Sequence, residues 1–159
     1  IYNSYDFKAY HKLSDNMVGS ISYHMSAINS LEGGDVRVSE RINLSSRKLR
    51  GFKPGKIGPK DNNDYIGGNY AAAFTAATTL PSLLPDLDSV DFGIFIDAGN
   101  VWGVDYDSSL DNSKLRSTAG LAIDWLTPIG PLSFVLSQPI TKSSTDVEET
   151  FRFDLGTTF

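Results

Sequence analysis

Hydrophobic and polar side chains alternate along much of this chain, which is the pattern of β-strands whose two faces meet different surroundings. Seven segments show the alternation: 5–11, 17–27, 68–79, 91–101, 119–126, 132–138 and 151–159. The segment 68–79 is included although its five alanines favour a helix. The pattern therefore predicts an all-β fold, an antiparallel meander of about seven strands.

The apolar residues of three central segments share one phase, so we expect them on one convex, lipid-facing side of a sheet. They are Phe92, Ile94, Ile96, Leu121, Ile123, Trp125, Leu132, Phe134 and Leu136. The opposite phase carries polar residues, typical of a wet barrel lumen: Asp124, Ser133, Ser137, Arg152 and Asp154. Short turns also alternate with long polar connections, as in antiparallel outer-membrane barrels.

Seven strands are too few, and the wrong parity, for a closed bacterial barrel, which has an even number and at least about eight. The sequence also begins at Ile1 without an initiator methionine or a signal segment. Such a start fits either a processed product or a piece cut from a longer protein, and the strand count leads us to expect the terminal part of a larger barrel. A missed strand between Leu31 and Ile66 would instead allow a small complete barrel.

Composition removes several classes of function. The 159 residues include no cysteine, so disulfides, thiolate metal sites and cysteine nucleophiles are excluded. Lys and Arg number 14 against 19 Asp and Glu, a net charge of −5. Binding of nucleic acid generally needs a strongly basic face, so no nucleic-acid partner is expected.

Half of the positive charge lies between positions 41 and 60, where there is no acidic residue. Glycines at 51, 55 and 58 and prolines at 54 and 59 indicate a defined path through this segment. A phosphate-binding Walker loop does not fit, because only three residues separate the first two glycines and Lys56 precedes an isoleucine. A loop of this length is uncommon unless it has a function.

Several motifs occur in the order found in one family. They are Ser46-Arg47-Lys48-Leu49-Arg50-Gly51-Phe52, Lys56-Ile57-Gly58-Pro59-Lys60, Ile66-Gly67-Gly68-Asn69, Phe95-Ile96-Asp97-Ala98-Gly99-Asn100-Val101-Trp102, the stretch Trp125 to Leu132 and the terminal Phe151 to Phe159. Together they resemble the BamA family of outer-membrane protein assembly factors, within the bacterial surface antigen group. The related barrel of the autotransporter assembly factor is the nearest alternative.

The resemblance implies that residues 1–159 are the C-terminal seven strands of a sixteen-stranded transmembrane barrel in the bacterial outer membrane. A loop of about 30–66 would fold into the lumen, and 150–159 would be the strand at the seam where first and last strands meet. Members insert other outer-membrane proteins by pairing substrate strands there. Implied partners are membrane lipid, nascent outer-membrane proteins and, through the parent protein, assembly-complex lipoproteins; no catalysis, cofactor or metal is implied.

The resemblance also implies roles for individual residues. Arg50, Gly51 and Phe52 form the loop motif, and Asp97 is its acidic partner on the barrel wall. The seam strand and terminal signal comprise Phe151, Phe153, Leu155, Gly156 and Phe159. The alternation alone also puts Asp97 on the other face of the strand from Ile94 and Ile96. If those two face lipid, Asp97 faces the lumen, where a buried carboxylate needs a cation nearby. Ala77 replaces a second lumenal carboxylate of some relatives, so Asp124 is an alternative partner for Arg50.

Two hypotheses from other classes of protein remain. Phe95-Ile96-Asp97-Ala98-Gly99 resembles the aspartic protease motif, in which two carboxylates share a proton, but Ala98 lacks the usual hydroxyl and the motif occurs once. A soluble ligand-binding barrel of lipocalin size suits the length but leaves the basic loop unexplained. Serine hydrolase and histidine metal sites lack their motifs.

Overall fold

A computed structural model describes residues 1–31, 33–81 and 88–156. Within these ranges the chain forms nine strands and two single-turn 3₁₀ helices, Val38–Glu40 and Ser108–Leu110. The strands are β1 (Tyr2–Ser14), β2 (Met17–Ile28), β3 (Lys60–Asp61), β4 (Asp64–Tyr65), β5 (Tyr70–Leu80), β6 (Val90–Trp102), β7 (Arg116–Thr127), β8 (Gly130–Thr141) and β9 (Phe151–Leu155). Over the described part of the chain, no helix has the length and apolar character needed to cross a membrane.

Seven strands form one sheet in the order β1-β2-β5-β6-β7-β8-β9, and every neighbouring pair is antiparallel. The predicted seven-strand meander is confirmed. Where the structure describes the segment 31–66, its strands are those of the short hairpin β3–β4, which stands apart from the main sheet. That hairpin was not predicted, because a strand of two residues is too short to show an alternation of apolar and polar side chains.

The alanine-rich segment is strand β5, and packing explains why it does not form a helix. Ala71 and Ala73 point to the inner face of the sheet and are 0% and 5% exposed. Their small side chains leave space for apolar residues of the 29–69 segment, which we call the inner loop. This core contains Ile42, Leu44, Leu49, Phe52, Ile57, Ala71, Ala73 and Val101. Burial thus overrides intrinsic helix propensity.

The two faces of the sheet differ as the alternation predicted. On β6, Ile94 and Ile96 are 42% and 55% exposed, whereas Phe95 and Asp97 are 3% and 0% exposed beneath the inner loop. Cross-strand partners share a face, and the register pairs Ile94 with Leu121 and Leu121 with Leu136. All nine residues assigned to the lipid side therefore lie on the face away from the inner loop.

The strand β9 is short and lies at one edge of the sheet. It pairs with β8 only from Leu132 to Leu136, while β8 itself has 12 residues. Gly156 follows it with a φ of +82°, and its amide donates to the Pro131 carbonyl at 2.8 Å. Phe159, assigned to the terminal signal, lies outside the described residues.

Candidate functional site

The side chain of Arg50 is presented to the inner face of the sheet by a tight turn. The amides of Lys48 and Leu49 donate to the Ser45 carbonyl at 3.0 and 3.3 Å. Leu49 is 2% exposed and anchors the turn in the loop core. Burial of this leucine fixes where the next residue can point, and Arg50 projects toward β6.

Arg50 and Asp97 form a two-pronged ion pair. The Arg50 Nε donates to Asp97 Oδ2 at 2.7 Å, and its Nη2 donates to Oδ1 at 2.7 Å. This fork matches the planar guanidinium to the planar carboxylate, which a lysine ammonium cannot do. The structure thus brings together the two residues that phase and motif had associated.

The carboxylate of Asp97 is enclosed and fully hydrogen-bonded. Its side chain is 0% exposed, whereas that of Arg50 is 11% exposed. Besides the fork, Oδ2 accepts from the Arg50 backbone amide at 3.0 Å and Oδ1 from Thr75 Oγ1 at 2.8 Å. Thr75 is the cross-strand partner of Asp97 on β5. Four donors stabilise a charge that would otherwise be costly to bury.

An aromatic ring forms the floor beneath the guanidinium. The Arg50 Cζ lies 3.4 Å from the centroid of the Phe95 ring, a cation–π contact in a desolvated setting. Gly120 is the cross-strand partner of Phe95. A Cβ at position 120 would come within 2.6 Å of the Phe95 Cζ and 2.3 Å of the Leu136 carbonyl oxygen. A glycine at 120 therefore leaves the room that the ring occupies.

Gly51 and Phe52 hold the next stretch of the loop against the wall. Gly51 has a φ of +91°, and a Cβ there would lie 2.9 Å from Thr118 Oγ1 on β7. Both the backbone conformation and the close approach therefore favour glycine. Phe52 is 2% exposed in the loop core. Each residue of the motif thus meets a different part of the fold.

The other residues assigned from sequence lie away from this cluster. Asp124, the alternative partner, instead accepts a hydrogen bond from Ser133 across β7 and β8. Phe151, Phe153 and Leu155 lie on the outward face of β9, where their cross-strand partners are Leu136, Phe134 and Leu132. The described part of the predicted terminal strand is thus an edge of the sheet whose outward side is apolar.

Two further arginine–aspartate pairs hold loops in place, and sequence reasoning did not identify either. Arg116 at the start of β7 forms a fork with Asp146, with Nε–Oδ2 and Nη2–Oδ1 distances of 2.9 Å. Arg41 of the inner loop pairs with Asp105, which lies three residues after the end of β6. A usable signal existed for Arg116, because it opens an alternating segment on the same phase as Thr118, Gly120 and Asp124.

Asp105 lies in the connection between β6 and β7, and its ionisation is tied to the inner loop. Burial by itself would raise the pKa of Asp105. Hydrogen bonds from Asn69 Nδ2 and the Val36 amide, at 2.9 and 2.7 Å, and the charge of Arg41 outweigh burial and lower the pKa to about 2. The carboxylate is therefore ionised at neutral pH and ties the connection between β6 and β7 to three positions of the inner loop.

The chemistry of the Arg50 cluster is that of an anchor. Asp97 uses both oxygens to accept from Arg50 and Thr75, so neither is open to activate a water molecule, as an aspartic protease requires. The Arg50 guanidinium is likewise hydrogen-bonded to Asp97 and stacked on Phe95. The arrangement fixes a loop on a barrel-type wall and is suited to positioning rather than to bond chemistry.

Comparison with known proteins places this arrangement in context. The Omp85 superfamily domain model matches residues 2–159. The outer membrane protein assembly factor BamA of Neisseria meningitidis serogroup B is 33% identical over 141 residues, and that of Neorickettsia risticii is 29% identical over 161 residues. These matches cover 70% and 97% of this chain.

A solved structure has the same fold. The crystal structure of BamA from Haemophilus ducreyi lacking POTRA domains 1–3 matches with a TM-score of 0.85 and 28% identity. The match covers 96% of this chain and 34% of that chain. The chain spans only 17% and 22% of the two curated relatives.

Proposed function

Because the chain belongs to the Omp85 superfamily, we propose that it is the C-terminal part of the barrel of a BamA-type factor that inserts β-barrel proteins into the bacterial outer membrane. In this proposal residues 1–159 are seven strands of sixteen, the inner loop folds into the lumen and 150–159 borders the seam. The BamA relatives favour this function over the autotransporter-type and protease alternatives.

The observation that carries the proposal is the docking of Arg50 on Asp97. The pair lies on the inner face of a sheet whose outer face carries exposed Ile94, Ile96, Leu121 and Leu136. An ion pair inside and a continuous apolar face outside suit a barrel wall between lipid and a wet lumen. A soluble sandwich would bury the apolar face instead.

The edge strand supports the insertion step. The outward side of β9 bears Phe151, Phe153 and Leu155, which are 50% to 60% exposed. An edge with unpaired backbone groups can accept an additional strand. Nascent outer-membrane proteins are therefore the proposed substrates and membrane lipid the proposed surroundings. Lipoproteins of an assembly complex would act through parts of the parent protein beyond this chain.

The test uses the full-length parent protein, reconstituted in phospholipid vesicles. An unfolded outer-membrane barrel protein is added, and its insertion is followed by protease protection and by heat-modifiable migration on gels. Arg50→Lys keeps the charge but loses the fork and the ring contact. We expect it to slow insertion about tenfold, which corresponds to ~1.4 kcal/mol of barrier height.

Arg37→Lys is the matched control, because it makes the same substitution at an exposed arginine of the same loop. Its insertion rate should equal that of the parent. The proposal fails if the parent inserts no faster than protein-free vesicles. A normal rate for Arg50→Lys would show that the docked motif is not what insertion depends on.

A further inference from the structure

The connection between β8 and β9, residues 142–150, is joined to the inner loop by backbone hydrogen bonds; we call it the terminal loop. The amide of Glu149 donates to the Gly51 carbonyl at 2.9 Å, and the amide of Lys53 donates to the Val147 carbonyl at 2.9 Å. Phe52 and Glu148 form an antiparallel bridge between these bonds. The loop motif therefore pairs directly with the residues that precede β9.

One further backbone hydrogen bond connects the terminal loop with β8 just before β9 begins. The amide of Ser137 on β8 donates to the Thr150 carbonyl at 2.8 Å, and β9 begins at the next residue, Phe151. Only one residue separates Glu149, which bonds to Gly51, from the first residue of β9. Because this linkage is so short, a shift of the motif backbone would also move the start of β9.

The terminal loop is fixed to the wall by the Arg116–Asp146 pair. Both side chains are 0% exposed. Asp146 Oδ2 also accepts from the Ser143 amide at 2.6 Å, while Arg116 Nη1 donates to the Lys114 carbonyl at 2.8 Å and to the Asn100 side-chain oxygen. The pair therefore connects β6, β7 and the terminal loop at one point.

We propose that Arg116 and Asp146 are positioning residues that hold the start of β9 in register with the Arg50–Gly51–Phe52 motif, so that the motif and the seam strand move as one unit. This inference rests on the proposed function for the importance of β9. The pair of Lys142 and Glu148 in the same loop offers a comparison, because these two side chains are 50% and 31% exposed.

The experiment measures disulfide formation between strands in the full-length parent, reconstituted in vesicles. Cysteines replace Leu136 and Phe151, which are cross-strand partners on β8 and β9. None of the 159 residues is a cysteine, and any cysteine elsewhere in the parent is replaced by serine in every variant. A reference protein carries cysteines at Leu121 and Leu136, partners on β7 and β8. The rate of oxidative cross-linking reports whether each pair of strands keeps its register.

Asp146→Asn should slow cross-linking of the 136–151 pair at least fivefold and leave the 121–136 pair unchanged. Arg116→Lys, which keeps the charge without the fork, should give a smaller reduction with the same selectivity, and it serves if Asp146→Asn does not insert. Lys142→Gln is the matched control in the same loop and should change neither pair. A general loss of structure would slow both pairs, which would overturn the inference.

The link to the motif is tested with Arg50→Lys in the same two cysteine backgrounds. We expect slower cross-linking of 136–151 and no change at 121–136. If Arg50→Lys slows substrate insertion but leaves 136–151 unchanged, the transmission is wrong and the proposed function stands. If the parent inserts no substrate while Asp146→Asn still loosens β9, the proposed function is wrong and the positioning role stands.

Discussion

The Arg50–Asp97 and Arg116–Asp146 pairs have the same fork but join loop and wall in opposite directions. Arg50 belongs to the inner loop and reaches a carboxylate on β6, whereas Arg116 belongs to β7 and holds a carboxylate of the terminal loop. Arg50 is 11% exposed and stacks on Phe95, whereas Arg116 and Asp146 are both fully enclosed.

This difference in exposure indicates how much stability is lost when one residue of each pair is removed. A charge left alone in a closed site cannot be solvated, so losing one partner there costs more than at a site that water can reach. The Arg50 site adjoins a cavity on the inner face of the sheet that Thr75 and Phe95 also line. We therefore expect the Arg116 pair to dominate stability and the Arg50 pair to dominate the position of the inner loop.

The largest effect is expected from Arg116→Met, which leaves Asp146 and Asn100 buried without their cation. The free energy of unfolding should fall by about 3–5 kcal/mol. Chemical denaturation of the detergent-refolded parent, followed by tryptophan fluorescence, measures it. Adding Asp146→Leu should recover most of the loss, because an apolar pair needs no solvation. An equal loss for Arg50→Met would remove the distinction between the two sites.

The coupling of Arg50 and Asp97 should be the next largest. We expect this in a double-mutant cycle with Arg50→Gln and Asp97→Asn. The sum of the two single-mutant losses of unfolding free energy should exceed the loss in the double mutant by about 2 kcal/mol. The same denaturation assay measures all four proteins. Additivity within about 0.5 kcal/mol would show that the fork contributes no energetic coupling.

The Arg41–Asp105 pair is a third case for comparison, because its carboxylate is more exposed, at 25%, than those of the other two pairs. Its lowered pKa means that the folded state binds the proton less tightly than the unfolded state. The resulting stabilisation is complete above about pH 4 and is lost as pH falls toward 2. After allowance for solvent screening it is about 1–2 kcal/mol. Asp105→Asn should remove this part of the pH dependence, as measured by unfolding at pH 6 and pH 3.

The smallest effect compares two glycines of the inner loop with positive φ. Gly51→Ala combines left-handed backbone strain with crowding against Thr118, whereas Gly55→Ala has the strain alone, because nothing lies within 4 Å of its added Cβ. We expect Gly51→Ala to lower the free energy of unfolding by about 1 kcal/mol more than Gly55→Ala, because only the former is also crowded. Equal losses would mean that the wall yields at Thr118.

The main sheet could be predicted from sequence alone, because a strand with an apolar environment on one side and a polar one on the other has alternating apolar and polar residues. The sequence placed Ile94 and Ile96 outside and Asp97 inside from phase. It also predicted β5 as a strand against the propensity of its alanines. The reason for those alanines, room for Leu49 and Phe52 of the inner loop, became visible only with the packing.

Other parts of the site could not be predicted, because they depend on contacts between distant segments. Asp146 lies among Glu148 and Glu149 in a polar stretch, and nothing local shows that it alone is enclosed. The bridge between Phe52 and Glu148 joins segments about 96 residues apart through backbone atoms, which leave no side-chain pattern. The choice of Asp97 over Asp124 by Arg50 likewise depends on the path of the loop.

The inner loop makes successive contacts with neighbouring strands: Arg50 with β6, Gly51 with β7, and the residues that follow with the terminal loop leading into β9. Ladder hydrogen bonds fix the spacing of strands but resist bending about the strand axes only weakly. A brace laid across the strands on one face resists that bending, because flattening the sheet would pull its contacts apart. The inner loop is therefore placed to brace this part of the wall, and releasing it should soften the wall at its β9 edge.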